Sequence, residues 1–182
     1  MTFSLQFSRL GLVACLLFLS ELSLAEALKV KPVLNSNPER VLFVGNSYYY
    51  YNNSLHNHVS DLVNASDAAL GARLQFKSST IGGAALNHHN MAHLTEPGRI
   101  GVTQPFQWVV MQGGSAEPLS QSRREIFRQT AMTHAEMIKA RGGQVALYMT
   151  HAYVKPHRLV STQNIIATES MYVEVGNEIG AL

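Results

Sequence analysis

The chain has 182 residues, of which 46% are hydrophobic, with 14 lysines and arginines against 12 aspartates and glutamates. This near-balance, with no basic stripe or acidic tail, argues against nucleic acid or an anionic membrane as the main partner. The only cysteine, Cys15, lies in the N-terminal leader, so the mature protein is expected to have no disulfide and no cysteine-ligated metal.

Residues 1–25 have the pattern of a secretory signal peptide. Arg9 supplies a positive charge, residues 10–19 are apolar, and Ser23-Leu24-Ala25 places small residues before a cleavage site. The apolar run is shorter than the roughly 20 residues that span a membrane. We therefore expect cleavage near Glu26, export to the periplasm or the medium, and no membrane association after cleavage.

Residues 26–39, which include Pro32 and Pro38, are expected to form an extended linker into a single domain at 40–182. An apolar run then predicts a buried strand over residues 40–46, and this run stops at Gly45-Asn46-Ser47. A serine just after a buried parallel strand lies at the carboxyl edge of the sheet, where open α/β sheets bind ligands. Ser47 is therefore a candidate functional residue, although serine is also a favoured helix cap.

Helix and strand patterns alternate along the rest of the chain. A helix is predicted over residues 54–70, with Leu55, Val59, Leu62 and Val63 on its apolar face. The later predicted elements are a strand at 73–79, a short helix after Gly83, a strand at 107–111, a helix at 123–141, a strand at 144–150 and a helix from 161. This alternation implies a three-layer α/β/α fold on a flavodoxin-like parallel sheet, with about four strands present and the last strand missing.

The helix predicted over residues 123–141 has the clearest signals. Ser122 and Glu125 have the spacing of a capping box at its start. His134 is expected on its solvent face. Its apolar stripe consists of Phe127, Ala131 and Ile138. We expect this stripe to pack against the sheet.

Unusual turns follow three of the predicted strands. They are Gly45-Asn46-Ser47, Thr80-Ile81-Gly82-Gly83 and Gln112-Gly113-Gly114-Ser115. In a parallel sheet these turns share one edge, where they would supply a serine nucleophile and the donors that bind an oxyanion. Glycine-rich turns of this kind are also ordinary loop chemistry, so spacing alone does not name a reaction.

In order and separation, these segments resemble the first three blocks of the SGNH (GDSL-like) hydrolase superfamily. The blocks are Val-Leu-Phe-Val-Gly-Asn-Ser at 41–47, Ser-Thr-Ile-Gly-Gly-Ala at 79–84 and Trp-Val-Val-Met-Gln-Gly-Gly-Ser at 108–115. The first block is closer to the branch that reads Gly-Asn-Ser than to the Gly-Asp-Ser branch. Residues 146–152 are also similar to that branch, and the resemblance extends over residues 40–182.

The resemblance implies roles for particular residues. Ser47 matches the nucleophile, and its own N–H matches one oxyanion donor. Gly83, or its neighbour Gly82, matches the second donor. The asparagine of the third block has no clear match, so Gln112 is the candidate for the third donor and Ser115 is its competitor.

One element of the family pattern is missing from the 182 residues. The resemblance implies an Asp-x-x-His segment that supplies the catalytic base and its orienting aspartate, but the last aspartate here is Asp67. A serine without a positioned base is a weak nucleophile, so we expect a truncated hydrolase with impaired activity. His157, after the fourth strand, is the best substitute base. If the strand order is 2-1-3-4-5, the fourth strand is left as an unguarded apolar edge, which predicts marginal stability or association.

These observations favour an exported SGNH-type serine esterase that acts on a small-molecule or carbohydrate ester, for example an acetyl ester. A non-catalytic domain that binds a carbohydrate or small ligand on the same fold is the alternative. A flavodoxin-like nucleotide binder fits less well, since no phosphate-loop motif occurs. His88, His89 and His93 lack an evident further ligand, so we expect neither a metal nor another cofactor.

Overall fold

The computed structural model describes residues 27, 29 and 37–182. The predicted signal peptide and most of the predicted linker therefore lie outside the described residues. Among these residues, no helix is both long and apolar enough to cross a membrane.

A single parallel sheet organises the described part of the chain. Its strands are β1 (Arg40–Gly45), β2 (Gln75–Thr80), β3 (Trp108–Met111) and β4 (Gln144–Leu147), in the order β2-β1-β3-β4. Val41 of β1 lies in register with Phe76 of β2 and with Trp108 of β3. This arrangement confirms the predicted α/β fold. It also places β1 between β2 and β3, the two other strands that are followed by the unusual turns.

Helices cover both faces of the sheet. They are α1 (Ser47–Tyr50), α2 (Leu55–Ser66), α3 (Ala68–Gly71), α4 (Met91–Leu94), α5 (Gln121–Ala140) and α6 (Thr162–Ile179). Because side chains alternate along a strand, Leu42 and Val44 pack with residues of α5 and α6, whereas Val41 and Phe43 pack with residues of α1 and α2. The result is the expected three layers.

The helix predicted over 54–70 is interrupted at Asp67. The backbone there is extended (φ −148°), and the Asp67 carboxylate accepts the N–H of Leu70 at 2.9 Å, which starts α3. The predicted apolar face is also wrong in part, since Leu62 is 71% exposed. Leu55 and Val59, with the ring of His56 beside Phe43, supply the contact with the small core cluster beneath α2.

The long helix α5 begins two residues earlier than predicted. Its cap is Ser120, whose Oγ accepts the Arg123 N–H at 3.4 Å, so the predicted capping box at Ser122 is wrong. The apolar stripe is buried as predicted. His134 is buried too, at 7% exposure, which corrects its predicted place on the solvent face.

The last helix begins where the sequence predicts, whereas the last strand is shorter than predicted. The helix α6 starts after Ser161, whose Oγ accepts the Asn164 N–H at 3.0 Å, as the sequence predicts. In contrast, β4 stops at Leu147, three residues short of the predicted end. Its outer edge is not bare, because Leu182 N–H donates to the Val145 carbonyl at 3.1 Å and its own carbonyl accepts from Leu147 at 2.7 Å.

Candidate active site

Asn46, rather than Ser47, caps the short helix that follows β1. Asn46 Oδ1 accepts the N–H of Tyr48 at 3.2 Å, which makes Ser47 the first residue of α1. The possibility that Ser47 merely caps this helix is therefore wrong. Among the described residues, neither Ser47 Oγ nor the Ser47 N–H has a hydrogen-bond partner. Both groups are thus available to a ligand.

The Asn46 side chain also joins the three predicted turns. Its Nδ2 donates to the carbonyl of Ala84 at 2.9 Å and to that of Gly113 at 3.1 Å. Asn46 is 2% exposed, so these bonds form away from water. Buried amides that are fully bonded hold their neighbours in one arrangement. Asn46 therefore fixes the ends of β1, β2 and β3 relative to one another.

Gln112 lies behind this network and not on the cavity wall. It is fully buried, and its Oε1 accepts the Asn46 N–H at 3.3 Å. Its Nε2 donates to Asn46 Oδ1 at 3.1 Å and to the Gly113 carbonyl at 3.0 Å. Both amide hydrogens are used within the protein, so in this geometry Gln112 positions the turn and has no hydrogen left for an oxyanion.

Two glycines of the turns have different reasons for being glycine. A Cβ at position 45 would lie 2.5 Å from Gln112 Oε1 and 2.8 Å from the ring of Tyr49, so a side chain would displace the network. Gly83 has a φ of +71° and open space where its Cβ would be. A positive φ favours glycine, and the open side lets a ligand approach the backbone closely.

Glu117 is a site residue that the sequence did not indicate. One carboxylate oxygen accepts the N–H of Gly114, and the other accepts the N–H of Leu86 at 3.3 Å. Burial raises the pKa of Glu117, and the two backbone N–H donors oppose that shift. Glu117 therefore ties the third turn to the 3₁₀ turn at Leu86–His88. The available signal was an acidic residue two positions after a glycine-rich turn.

The three turns open onto one cavity of about 490 Å³. Its wall includes Asn46, Ser47, Tyr48, Tyr51, Gly83, Gly114, Ser115, Glu117, Arg123 and Ile126. Ser47, Gly83 and Ser115 are thus brought together, as the order of the turns predicts. The other candidates, Gly82, Gln112 and His157, are not on this wall.

The segment after β4 touches the site through aromatic side chains. Tyr153 Oη donates to Ser115 Oγ at 3.0 Å, and the ring of His157 stacks on that of Tyr153 at 4.2 Å. His157 Nδ1 accepts the Leu159 N–H at 3.1 Å, so this nitrogen is already occupied. His151 packs edge-on against Tyr48, with ring centroids 4.7 Å apart.

Two other histidines are buried near each other. Burial lowers the pKa of His134 to about 4, with a smaller contribution from His89, and burial likewise lowers the pKa of His89. No hydrogen-bond partner for Nδ1 of either ring is found among the described residues. Within the same part of the chain, no three histidine, aspartate, glutamate or cysteine side chains come together as metal ligands.

No family model matches the chain, and no curated protein sequence matches it. Solved structures do. A candidate SGNH hydrolase from Slackia heliotrinireducens matches with a TM-score of 0.54 at 20% identity, over 80% of this chain and 77% of that one. The esterase AlinE4, of the SGNH-hydrolase family, matches with a TM-score of 0.57 at 14% identity, over 79% and 74%. The chain has an SGNH-hydrolase-like fold.

A third structure, the acetyl xylan esterase AlAXEase, is similar to the same extent. Its TM-score is 0.57 at 11% identity, over 78% of this chain and 74% of that one. Identities this low establish a likeness of fold only. The assignment of chemistry to this SGNH-like fold therefore depends on the geometry of its own residues.

Proposed function

We propose that this protein is an exported serine ester hydrolase that forms an acyl intermediate on Ser47. The observation that carries the proposal is the position of Ser47. Its hydroxyl and its N–H lack partners among the described residues, and it opens onto a cavity that Gly83 also lines. A nucleophile beside free backbone donors is the arrangement that acyl transfer requires.

The proposed reaction has two steps. Ser47 Oγ attacks the ester carbonyl, and the oxyanion accepts hydrogen bonds from the N–H groups of Ser47 and Gly83. The alcohol then leaves with a proton, and water hydrolyses the acyl-serine to release the acid. Ser115, whose hydroxyl is on the wall, is better placed than Gln112 to supply a third donor.

The proposed substrate is a small-molecule or carbohydrate ester, for example an acetyl ester. A cavity of about 490 Å³ lies within the range of small-ligand sites, roughly 300–1,000 Å³. Tyr48 and Tyr51 give its wall aromatic surface. The names of the similar structures, an acetyl xylan esterase and other esterases, support this class.

We further propose that the 182-residue chain turns over slowly. It contains no Asp-x-x-His segment, and none of its described histidines lines the cavity. Loss of triad groups from serine hydrolases typically costs several orders of magnitude in rate. Ser47 would then react with strong electrophiles while esters are hydrolysed poorly.

The test combines a fluorophosphonate probe with hydrolysis of p-nitrophenyl acetate. We expect the probe to modify Ser47 slowly, as peptide mapping by mass spectrometry would show, and the Ser47→Ala variant to remain unmodified. Ser66→Ala is the matched control, since Ser66 is exposed at the end of α2 and does not line the cavity. Modification or hydrolysis that persists in Ser47→Ala would overturn the assignment of Ser47 as the nucleophile. Fast hydrolysis that is lost in Ser47→Ala would keep that assignment and overturn only the proposal that the chain turns over slowly.

The alternative is a non-catalytic domain that binds a carbohydrate or small ligand. The position of the histidines favours it, because none of the described ones lies on the cavity wall. Ligand binding in the cavity without any modification of Ser47 by the probe would support this alternative.

Export is proposed from the leader sequence. Expression of the full sequence in a bacterial host should give secreted material that starts near Glu26, measured by intact mass. Material that retains Met1, or that carries a lipid on Cys15, would contradict it.

A further inference from the structure

One cationic side chain on the cavity wall has no ion-pair partner among the described residues. Arg123, in the first turn of α5, lines the same cavity as Ser47 and is exposed to solvent. Its only side-chain hydrogen bond within the described part of the chain runs from Nη1 to the Ala116 carbonyl, at 3.5 Å. Since that distance is at the outer limit of a hydrogen bond, most of the guanidinium donors are unused.

The single acidic residue on the wall does not neutralise Arg123. Both carboxylate oxygens of Glu117 face backbone N–H groups, those of Gly114 and Leu86. Burial also raises the pKa of Glu117, which favours its uncharged form. The cavity therefore presents an unpaired positive charge beside a buried, internally bonded acid.

The neighbours of Arg123 on α5 are engaged elsewhere. Arg124 donates from Nη1 to the Pro118 carbonyl at 2.8 Å and does not line the cavity. The next acidic residue, Glu125, pairs with Arg128 at 3.1 Å. Only Arg123 among these four charged residues faces the cavity, so its charge is directed at whatever the cavity binds.

We propose that Arg123 selects esters that carry a carboxylate, so that the substrates of this cavity are anionic. A guanidinium binds a carboxylate through two parallel hydrogen bonds, which gives orientation as well as attraction. The proposal rests on the proposed function, because it takes the ester to be held at Ser47. The carboxylate can belong to the acyl part or to the alcohol part, and both place an anion beside the reacting ester.

The test measures binding rather than turnover, in a Ser47→Ala background that cannot form an acyl-enzyme. One ligand pair, monoethyl succinate and diethyl succinate, places the charge on the acyl side. The other pair, an acetylated glucuronic acid and the matching acetylated glucose, places it on the alcohol side. Dissociation constants are measured by NMR titration for Ser47→Ala, for Ser47→Ala/Arg123→Gln and for Ser47→Ala/Arg124→Gln.

We expect the anion of at least one pair to bind roughly five- to tenfold more tightly than its neutral partner. Arg123→Gln should remove this preference, whereas Arg124→Gln, which loses the same charge on the same helix, should retain it. Equal binding within both pairs, a preference that survives Arg123→Gln, or no measurable binding by any ligand would overturn the proposal. Thermal melting of each variant shows that the fold is retained.

The outcome is separable from that of the proposed function. A charge preference that depends on Arg123, combined with no probe modification of Ser47, would retain the anion site and reject the hydrolase. Modification of Ser47 without any charge preference would do the reverse.

Discussion

The two sides of the cavity differ in how their residues are held. The turns after β1, β2 and β3 are joined by buried hydrogen bonds through Asn46, Gln112 and Glu117. The segment at 148–161, after β4, contacts these turns through aromatic rings and the part-buried hydrogen bond from Tyr153 to Ser115, and Met149 and Val154 are 50% and 70% exposed. The side that carries Ser47 is therefore pre-organised, whereas the side that carries His151 and His157 is not.

The difference indicates what this chain can do by itself. Pre-organised donors cost no rearrangement when charge develops on a substrate, so the rigidity of the first side suits the oxyanion of the proposed reaction. A general base must reach the proton that it removes, at about 2.6–3.2 Å. The aromatic contacts of the second side hold its histidines on tyrosine rings, away from that task.

The largest expected effect on stability comes from breaking the hydrogen bonds that join the turns after β1, β2 and β3. Asn46→Ala removes the side chain that bonds to Ala84, Gly113 and Gln112, which leaves the Ala84 carbonyl without its donor and removes one of the two bonds made by Gln112 Nε2. We expect a loss of about 3 kcal/mol in the free energy of unfolding, measured by urea denaturation. Asn87→Ala, at an exposed residue of the same cavity wall, should cost less than about 0.5 kcal/mol. Equal losses in both variants would contradict the role of Asn46 in holding the three turns together.

Two buried histidines, His89 and His134, have ring nitrogens without hydrogen-bond partners among the described residues, and this predicts acid sensitivity. His134 has a folded-state pKa of about 4, below its unfolded value of 6.5, so the unfolded state takes up the proton first as the pH falls. Its contribution is intact above pH 6.5 and is lost as the pH falls towards about 4, which amounts to about 2 kcal/mol by pH 5.

The measurement is urea denaturation at pH 7.5 and at pH 5. His134→Leu should lose less stability than the parent between these two values, because an apolar side chain takes up no proton. His93→Leu is the control, since His93 is exposed, and it should keep the parent's pH dependence. An unchanged pH dependence in His134→Leu would show that other groups cause the acid loss.

The spacing of apolar residues predicted the features of the fold that depend on local sequence. The four strands, the buried stripe of α5 and the Ser161 cap of α6 follow from the spacing of apolar residues and from cap chemistry. The short-range errors occurred where two good caps compete. Asn46 and Ser47 are adjacent, Ser120 and Ser122 lie two positions apart, and composition does not decide which member of each pair caps the helix.

Contacts between residues far apart in the chain could not be predicted from the sequence. The amide of Gln112 is turned towards Asn46, 66 positions away, and Glu117 bonds to Leu86, 31 positions away. These orientations depend on the packing of neighbouring strands, which no local pattern records. His134 is different: it was expected on the solvent face, yet its helical spacing from Phe127, Ala131 and Ile138 puts it on the stripe of α5 that packs inward, a signal present in the sequence.

A smaller effect is expected at Gly83. Its φ of +71° is strained for a residue with a side chain, whereas the space around its Cβ is open. Gly83→Ala should therefore cost about 1 kcal/mol of unfolding free energy through the backbone alone. If Gly83 also supplies an oxyanion donor, the added methyl on its open side should obstruct approach to the N–H, and the variant should react more slowly with the fluorophosphonate probe. The same loss of stability with unchanged probe reactivity would remove Gly83 from the proposed site.

The smallest effect is expected on the loosely held side. His157→Ala should leave any slow, Ser47-dependent hydrolysis of p-nitrophenyl acetate within about twofold, because His157 is not on the cavity wall and its Nδ1 is bonded to Leu159. Loss of its stacking on Tyr153 should cost only about 0.5 kcal/mol of unfolding free energy. A tenfold or larger fall in rate, with the fold intact by thermal melting, would show that the segment after β4 rearranges to bring His157 to Ser47. In that case, catalysis would require the segment after β4 to move. Both sides of the cavity would then take part in the reaction, and they would differ only in mobility.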